Sequence, residues 1–161
     1  MKQDEITIRG ENIPINILLA DDDEDDRHFF GRILKEIHIN TRFATVENGE
    51  KLMQYLIKNS SNPPNILFID FNMPCKNGLQ CLSEIYLNEK LRHLPVIVYS
   101  NSVQEKYADL LYDKGAYYYV RKTDLEQLKK HVQHILTMMI DNKLVKPRRE
   151  EFIVVPLKYN A

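Results

Sequence analysis

Three short segments of the chain, INILLA at Ile15 to Ala20, NILFI at Asn65 to Ile69 and PVIVY at Pro95 to Tyr99, run apolar at consecutive positions instead of alternating. Strands of that kind bury both faces, which is the condition of a parallel sheet covered by helices on each side. Two further runs, Thr41 to Val46 and Ala116 to Val120, complete a set of five. The segments between the runs are helix-like. Start signals stand at Asn48 before GEKLMQYLIK, at Ser102 with Glu105 and at Thr123 with Glu126, the last two reading as capping boxes. Leu125, Leu128, Val132, Ile135 and Met139 form a stripe at helical spacing, wide enough to pack on a sheet. Five strands alternating with helices, joined by right-handed crossovers, predict a doubly wound α/β fold: a five-stranded parallel sheet with helices on both faces.

The expected domain spans 15–141, with an N-terminal extension over 1–14 and a C-terminal tail over 142–161. The tail contains FIVVP, a candidate edge strand, and its apolar character points to docking on the domain or on a second copy. Its basic residues Lys143, Lys146, Arg148 and Arg149 stand beside Glu150 and Glu151 and read as a solvated stretch. About 20 residues after the last helix are too few for a helix-turn-helix output module. With 22 Lys plus Arg against 23 Asp plus Glu, the net charge of -1 gives no general reason to expect nucleic-acid or anionic-membrane binding. The opening MKQDEITIRG lacks an apolar signal core, and no segment approaches the length of a membrane span, so the expected location is the cytoplasm. Cys75 and Cys81 alone suit neither a zinc site nor a disulfide framework. His131 and His134, three residues apart, read as solvated rather than as metal ligands.

In an open α/β sheet, ligands bind beyond the carboxyl ends of the strands. The residues found there are Asp21, Asp22 and Asp23 after the first run, Asp70 after the third, Ser100 after the fourth and Lys122 shortly after the fifth. Each has a bland reading, because DDDEDD can simply cap a helix and favour its positive end, and a lone serine or lysine can be a turn or an edge charge. Their joint placement on one edge is more specific. Crowded carboxylates in a partly desolvated cleft need a compensating cation, and Mg²⁺ suits a site of few carboxylates with positions left for water and phosphate oxygens. A lysine and a hydroxyl beside them supply what a transferred phosphoryl group requires, with Asp70 as the natural nucleophile.

In order and spacing, ILLADDDEDD, NILFIDFNMPCKNGL, PVIVYSNS and GAYYYVRK resemble the receiver domain of two-component response regulators, over about residues 15 to 140. The single-domain, chemotaxis-regulator-like and phytochrome-associated members are the most similar in organisation, and because such receivers often dimerise the resemblance implies a homodimer. The resemblance implies a flavodoxin-like sheet of order 2-1-3-4-5. It also implies a bacterial signalling switch, not an enzyme, that accepts a phosphoryl group from a sensor histidine kinase or phosphotransfer protein and passes the signal to a downstream target. By position, Asp70 corresponds to the phospho-acceptor, Asp22 to a direct Mg²⁺ ligand, Asp21 to an acid reaching the metal through water, and Asn72 to a main-chain carbonyl ligand. Ser100 takes the switch hydroxyl position, Lys122 the position of the lysine that pairs with the acceptor, and Tyr119 that of the aromatic switch residue. Met73, Pro74 and Gly78 match the loop after the acceptor, and the output face would comprise roughly residues 103 to 141.

Two positions depart from the family pattern: Thr123 stands where a proline usually follows the lysine, and Asn101 where a small residue usually follows the switch hydroxyl. Thr123 is expected to keep the turn by capping the last helix, and Asn101 to narrow access to the phosphoryl group. Three other readings compete. A flavin-binding module shares the layer architecture, but three aspartates after the first strand would repel a flavin phosphate. A Mg²⁺-dependent phosphohydrolase usually carries a second aspartate two residues past its nucleophile, where Asn72 cannot serve as acid or base. A receiver-like adaptor would bind its partner without being phosphorylated.

Overall fold

The computed structural model describes residues 13–122 and 124–154. The chain runs β1 (Ile15–Ala20), α1 (Glu24–Glu36), β2 (Thr41–Val46), α2 (Gly49–Lys58), β3 (Ile66–Asp70), α3 (Gly78–Leu87), β4 (Val96–Ser100), α4 (Glu105–Asp113), β5 (Tyr118–Arg121) and α5 (Leu125–Ile140). A short 3₁₀ turn, Arg149–Glu151, then leads into β6 (Ile153–Val154). The strands form one sheet of order β2-β1-β3-β4-β5-β6, every neighbouring pair parallel. The five expected strands take the expected order, and Ile153–Val154, within the expected FIVVP segment whose last two residues lie outside the described ones, add a sixth at the β5 edge.

Burial follows the apolar runs. Every residue of β3 and of β4 is buried, whereas β2, at the sheet edge, is only partly covered. One face of the sheet packs Leu18, Leu67 and Val96 against Leu52, Leu82 and Leu111 of α2, α3 and α4. The other packs Ile17, Phe68 and Ile97 against Phe30 and Ile33 of α1 and Val132 and Ile135 of α5. The α5 stripe is therefore core, as its spacing requires. His131 lies within it at 1% exposure, which corrects the expectation of a solvated imidazole.

Local chemistry sets the helix starts. Asp23 caps α1 by accepting from the amides of Asp25 and Asp26, Asn48 caps α2 through Lys51, and Asn77 forms a reciprocal capping box with Gln80 on α3. Two expected caps are corrected. Helix α4 has Gln104 as its N-cap and no side-chain cap, so the box between Ser102 and Glu105 does not form. The backbone is still extended at Gln104, whose amide donates to the Tyr119 hydroxyl at 3.2 Å, so the helix starts too late for Ser102 to cap it. Helix α5 is capped by Asp124, which accepts from the Gln127 amide at 3.0 Å. That cap stands one residue beyond the expected Thr123, which lies outside the described residues.

Residues after α5 return across α4 to the β5 edge. The Tyr112 hydroxyl donates to the Pro147 carbonyl at 2.7 Å, Lys146 lies 3.9 Å over the Tyr112 ring, and Arg149 pairs with Asp109 at 2.7 Å. Lys146 and Arg149, expected to be solvated, thus engage α4. Among the described residues, no helix is long and apolar enough to cross a membrane.

Candidate functional site

Strand register assembles the site. Ala20 pairs with Ile69, Asp70 with Tyr99 and Ser100 with Arg121, so Asp21, Asp70, Ser100 and Lys122 all emerge on one edge of the sheet. Carboxylate oxygens of Asp21, Asp22 and Asp70 lie within 4.8 Å of one another, with Asp21 and Asp70 buried and Asp22 exposed. The three can converge on a single divalent cation, and an all-oxygen donor set of this kind suits a hard ion.

Each acid is held individually. The Asp70 Oδ1 accepts the Asn72 amide at 3.2 Å, and the Gly78 amide donates to the Phe71 carbonyl at 2.9 Å, closing the loop after β3. Gly78 is required there, since a Cβ would come within 2.9 Å of the Asp70 carbonyl and of the Phe71 Cα. The Asp21 Oδ1 accepts the Asp23 amide at 3.0 Å, and its Oδ2 accepts from both the Tyr99 hydroxyl and Lys122 Nζ, the latter at 3.0 Å. Burial, opposed by Lys122 and reinforced by the Asp21 charge, pushes the Asp70 carboxyl up to about 7. Burial and the Asp21 carboxylate also raise the Tyr99 phenol, which therefore stays a donor.

Lys122 is the central cation. Its backbone amide donates to the Ser100 carbonyl at 2.7 Å, and its Nζ reaches Asp26 at 2.9 Å, Asp21 at 3.0 Å and Asp70 at 3.4 Å. It also sits 4.5 Å over the Tyr99 ring. Burial alone would lower its pKa, but the hydrogen bond to Asp26, followed by Asp70 and Asp21, lifts the ammonium above the usual lysine value. The Ser100 Oγ, at 1% residue exposure, has no hydrogen-bond partner among the described residues. A buried hydroxyl left unsatisfied is costly, and this one lies on the strand edge that carries Asp21 and Asp70.

The structure brings Asp21, Asp22, Asp70 and Lys122 together. It places Tyr119 apart, fully buried in the core beneath α4, with Phe71 at 6.5 Å and Phe152 at 6.2 Å between ring centroids. Asn101 lines a cleft of about 290 Å³ that it shares with Asp26, Tyr99 and Lys122. Two site residues escaped the sequence reading. Tyr99 was absorbed in an apolar strand, where nothing local distinguishes a tyrosine that reaches an aspartate 78 positions away. Asp26 was absorbed in the acidic helix start, although its place in the first turn of α1 puts it on the strand-edge side.

The parallel sheet with a carboxylate cluster and a lysine at one edge is the arrangement of a receiver domain, and the comparison with known proteins identifies the family. The response regulator receiver domain model matches residues 17–133, and the chain belongs to that family. Response regulator Rcp1 of Synechocystis is 30% identical over 135 residues, covering 81% of this chain and 92% of that protein. The Mn²⁺-bound structure of Rcp1 superposes with a TM-score of 0.71 at 29% identity, over 83% of this chain and 99% of that one. The phosphorylated cyanobacterial phytochrome response regulator RcpA gives a TM-score of 0.73 at 26% identity, over 84% and 99%.

Proposed function

We propose that this receiver domain is a phosphorylation-dependent switch of a two-component system, with Asp70 as acceptor and a phosphohistidine on a sensor kinase or phosphotransfer protein as donor. The carrying observation is the convergence of Asp21, Asp22 and Asp70 within 4.8 Å beside Lys122. The same donor set, with the buried Ser100 Oγ on the same strand edge, fits Mg²⁺ and a phosphoryl group. Asp21, Asp22, Asp70 and the Asn72 main-chain carbonyl would hold the metal, which supplies positive charge to the phosphoryl oxygens when bound.

Asp70 forms the new P–O bond as the donor P–N bond breaks, and the imidazole departs as the leaving group, protonated from solvent. The Asn72 amide fixes Oδ1 and so sets the orientation of the carboxylate. Lys122 meets developing negative charge on the phosphoryl oxygens, and the Ser100 hydroxyl donates to one of them. The domain transfers a phosphoryl group to itself and turns over no separate substrate. Output would be read on α4, β5 and α5 around Tyr119, whose hydroxyl already ties to the start of α4. Both cysteines are free thiols, in keeping with a cytoplasmic setting.

Incubation with phosphoramidate, with and without Mg²⁺, followed by intact mass, tests this reading. The expected result is a Mg²⁺-dependent gain of one phosphoryl group that Asp70→Asn abolishes. No gain at long times, even with Asn101→Ala to widen access, would instead favour an adaptor that works unphosphorylated.

A further inference from the structure

The lysine beside the acceptor has a closer partner than the acceptor itself. Lys122 Nζ lies 2.9 Å from Asp26 Oδ2 and 3.0 Å from Asp21 Oδ2, against 3.4 Å from Asp70 Oδ2. Asp21 is fixed in that role, because the Tyr99 hydroxyl donates to the same Oδ2 and the Asp23 amide occupies Oδ1. Asp26 is different: it is half-buried on α1, with no role in the carboxylate cluster, and it lines the cleft that Lys122 and Asn101 border. An acid in the first turn of a helix needs no ion pair to be favourable there. Glu24 and Asp25 occupy the same turn and make no salt bridge to Lys122, so the pairing belongs to Asp26 in particular.

Resting on the switch reading above, we propose that Asp26 is a positioning residue acting through Lys122. In the unphosphorylated domain its carboxylate holds the ammonium toward α1, and phosphorylation of Asp70 must draw the ammonium away from it. Asp26 then competes with the phosphoryl oxygens for one cation. A partly exposed ion pair of this kind is worth a fraction of a kcal/mol to about 1 kcal/mol, which limits its effect on phosphoryl affinity to about two- to fivefold.

The test is a titration of the full chain with beryllofluoride, a mimic of the phosphoryl group, in excess Mg²⁺, read by calorimetry. Wild type, Asp26→Asn, Asp26→Glu and Asp25→Asn are compared. Asp26→Asn should lower the beryllofluoride dissociation constant by about two- to fivefold. Asp26→Glu, which retains the carboxylate, should return toward wild type, and Asp25→Asn, which removes the same charge one residue away, should leave the value unchanged. Thermal midpoints measured without ligand separate this from a structural effect, since a mere helix-start role would lower the midpoints of Asp25→Asn and Asp26→Asn alike and leave their affinities equal. Equal affinities for wild type and Asp26→Asn, or for the two Asn variants, would overturn the inference while leaving the switch intact. Failure of wild type itself to bind beryllofluoride with Mg²⁺ would overturn the switch reading, and the role of Asp26 with it.

Discussion

The Tyr119 amide donates to the Phe152 carbonyl at 2.9 Å, and the rings of the same two residues lie 6.2 Å apart, so the returning C-terminal segment is built into the core beside Tyr119. Phe152 is fully buried and also meets Tyr112 edge-on at 5.4 Å. Truncating it opens a cavity behind Tyr119. Phe152→Ala should therefore cost about 3 kcal/mol of unfolding free energy, at the lower end for a buried phenylalanine. Urea unfolding measures it, and a loss below about 1 kcal/mol would show that the segment merely rests on the edge.

The sheet could be read from the sequence because β1, β3 and β4 are covered on both faces, and two-sided burial leaves an unbroken apolar run. Asp70 and Lys122 were equally legible, being displaced only to the ends of those runs. The pairs Tyr99–Asp21 and Lys122–Asp26 were not, since they depend on how α1 and the strand tips meet across 78 and 96 positions. The caps of α4 and α5 failed for a related reason. Ser102 and Thr123 carry the right side chains, but the chain stays extended through Gln104, and Asp124 supplies the cap of the last helix.

Divalent metal should stabilise the domain through the carboxylate cluster. At a Mg²⁺ concentration 100 times its dissociation constant, mass action adds about 2.7 kcal/mol to the unfolding free energy, and chelation should remove it. Asp22 is exposed, so Asp22→Asn should leave the metal-free stability within about 0.5 kcal/mol of wild type while abolishing most of the Mg²⁺ increment. Denaturant midpoints with Mg²⁺ and with chelator decide it. A wild-type midpoint indifferent to Mg²⁺ would count against a metal site.

Burial, and secondarily the charge of His134, lowers the His131 pKa, so the folded state favours the neutral imidazole more than the unfolded chain does. The associated stability is complete above the unfolded value of about 6.5 and is lost as pH falls from there through the lower folded value. Replacement by leucine removes the proton uptake. Unfolding free energy measured from about pH 7.5 to about pH 5 should fall less steeply in His131→Leu than in wild type. Parallel slopes would mean that protonating this imidazole costs the fold nothing.

Ser100 separates structural from signalling roles more cleanly than any other site residue. Its buried Oγ has no hydrogen-bond partner among the described residues, so the hydroxyl contributes no hydrogen bond there to the fold. Removing an unsatisfied buried polar atom is neutral or favourable, and Ser100→Ala should change stability by between zero and about +1 kcal/mol. In the proposed phosphorylated state the hydroxyl would gain a phosphoryl oxygen to bond. Amide NMR of residues 103–141 should shift on beryllofluoride addition in wild type, and the same shifts should be much reduced in Ser100→Ala although the ligand still binds at Asp70. If the variant instead loses stability and keeps the full response, the hydroxyl is a packing element and the conformational signal reaches Tyr119 by another route.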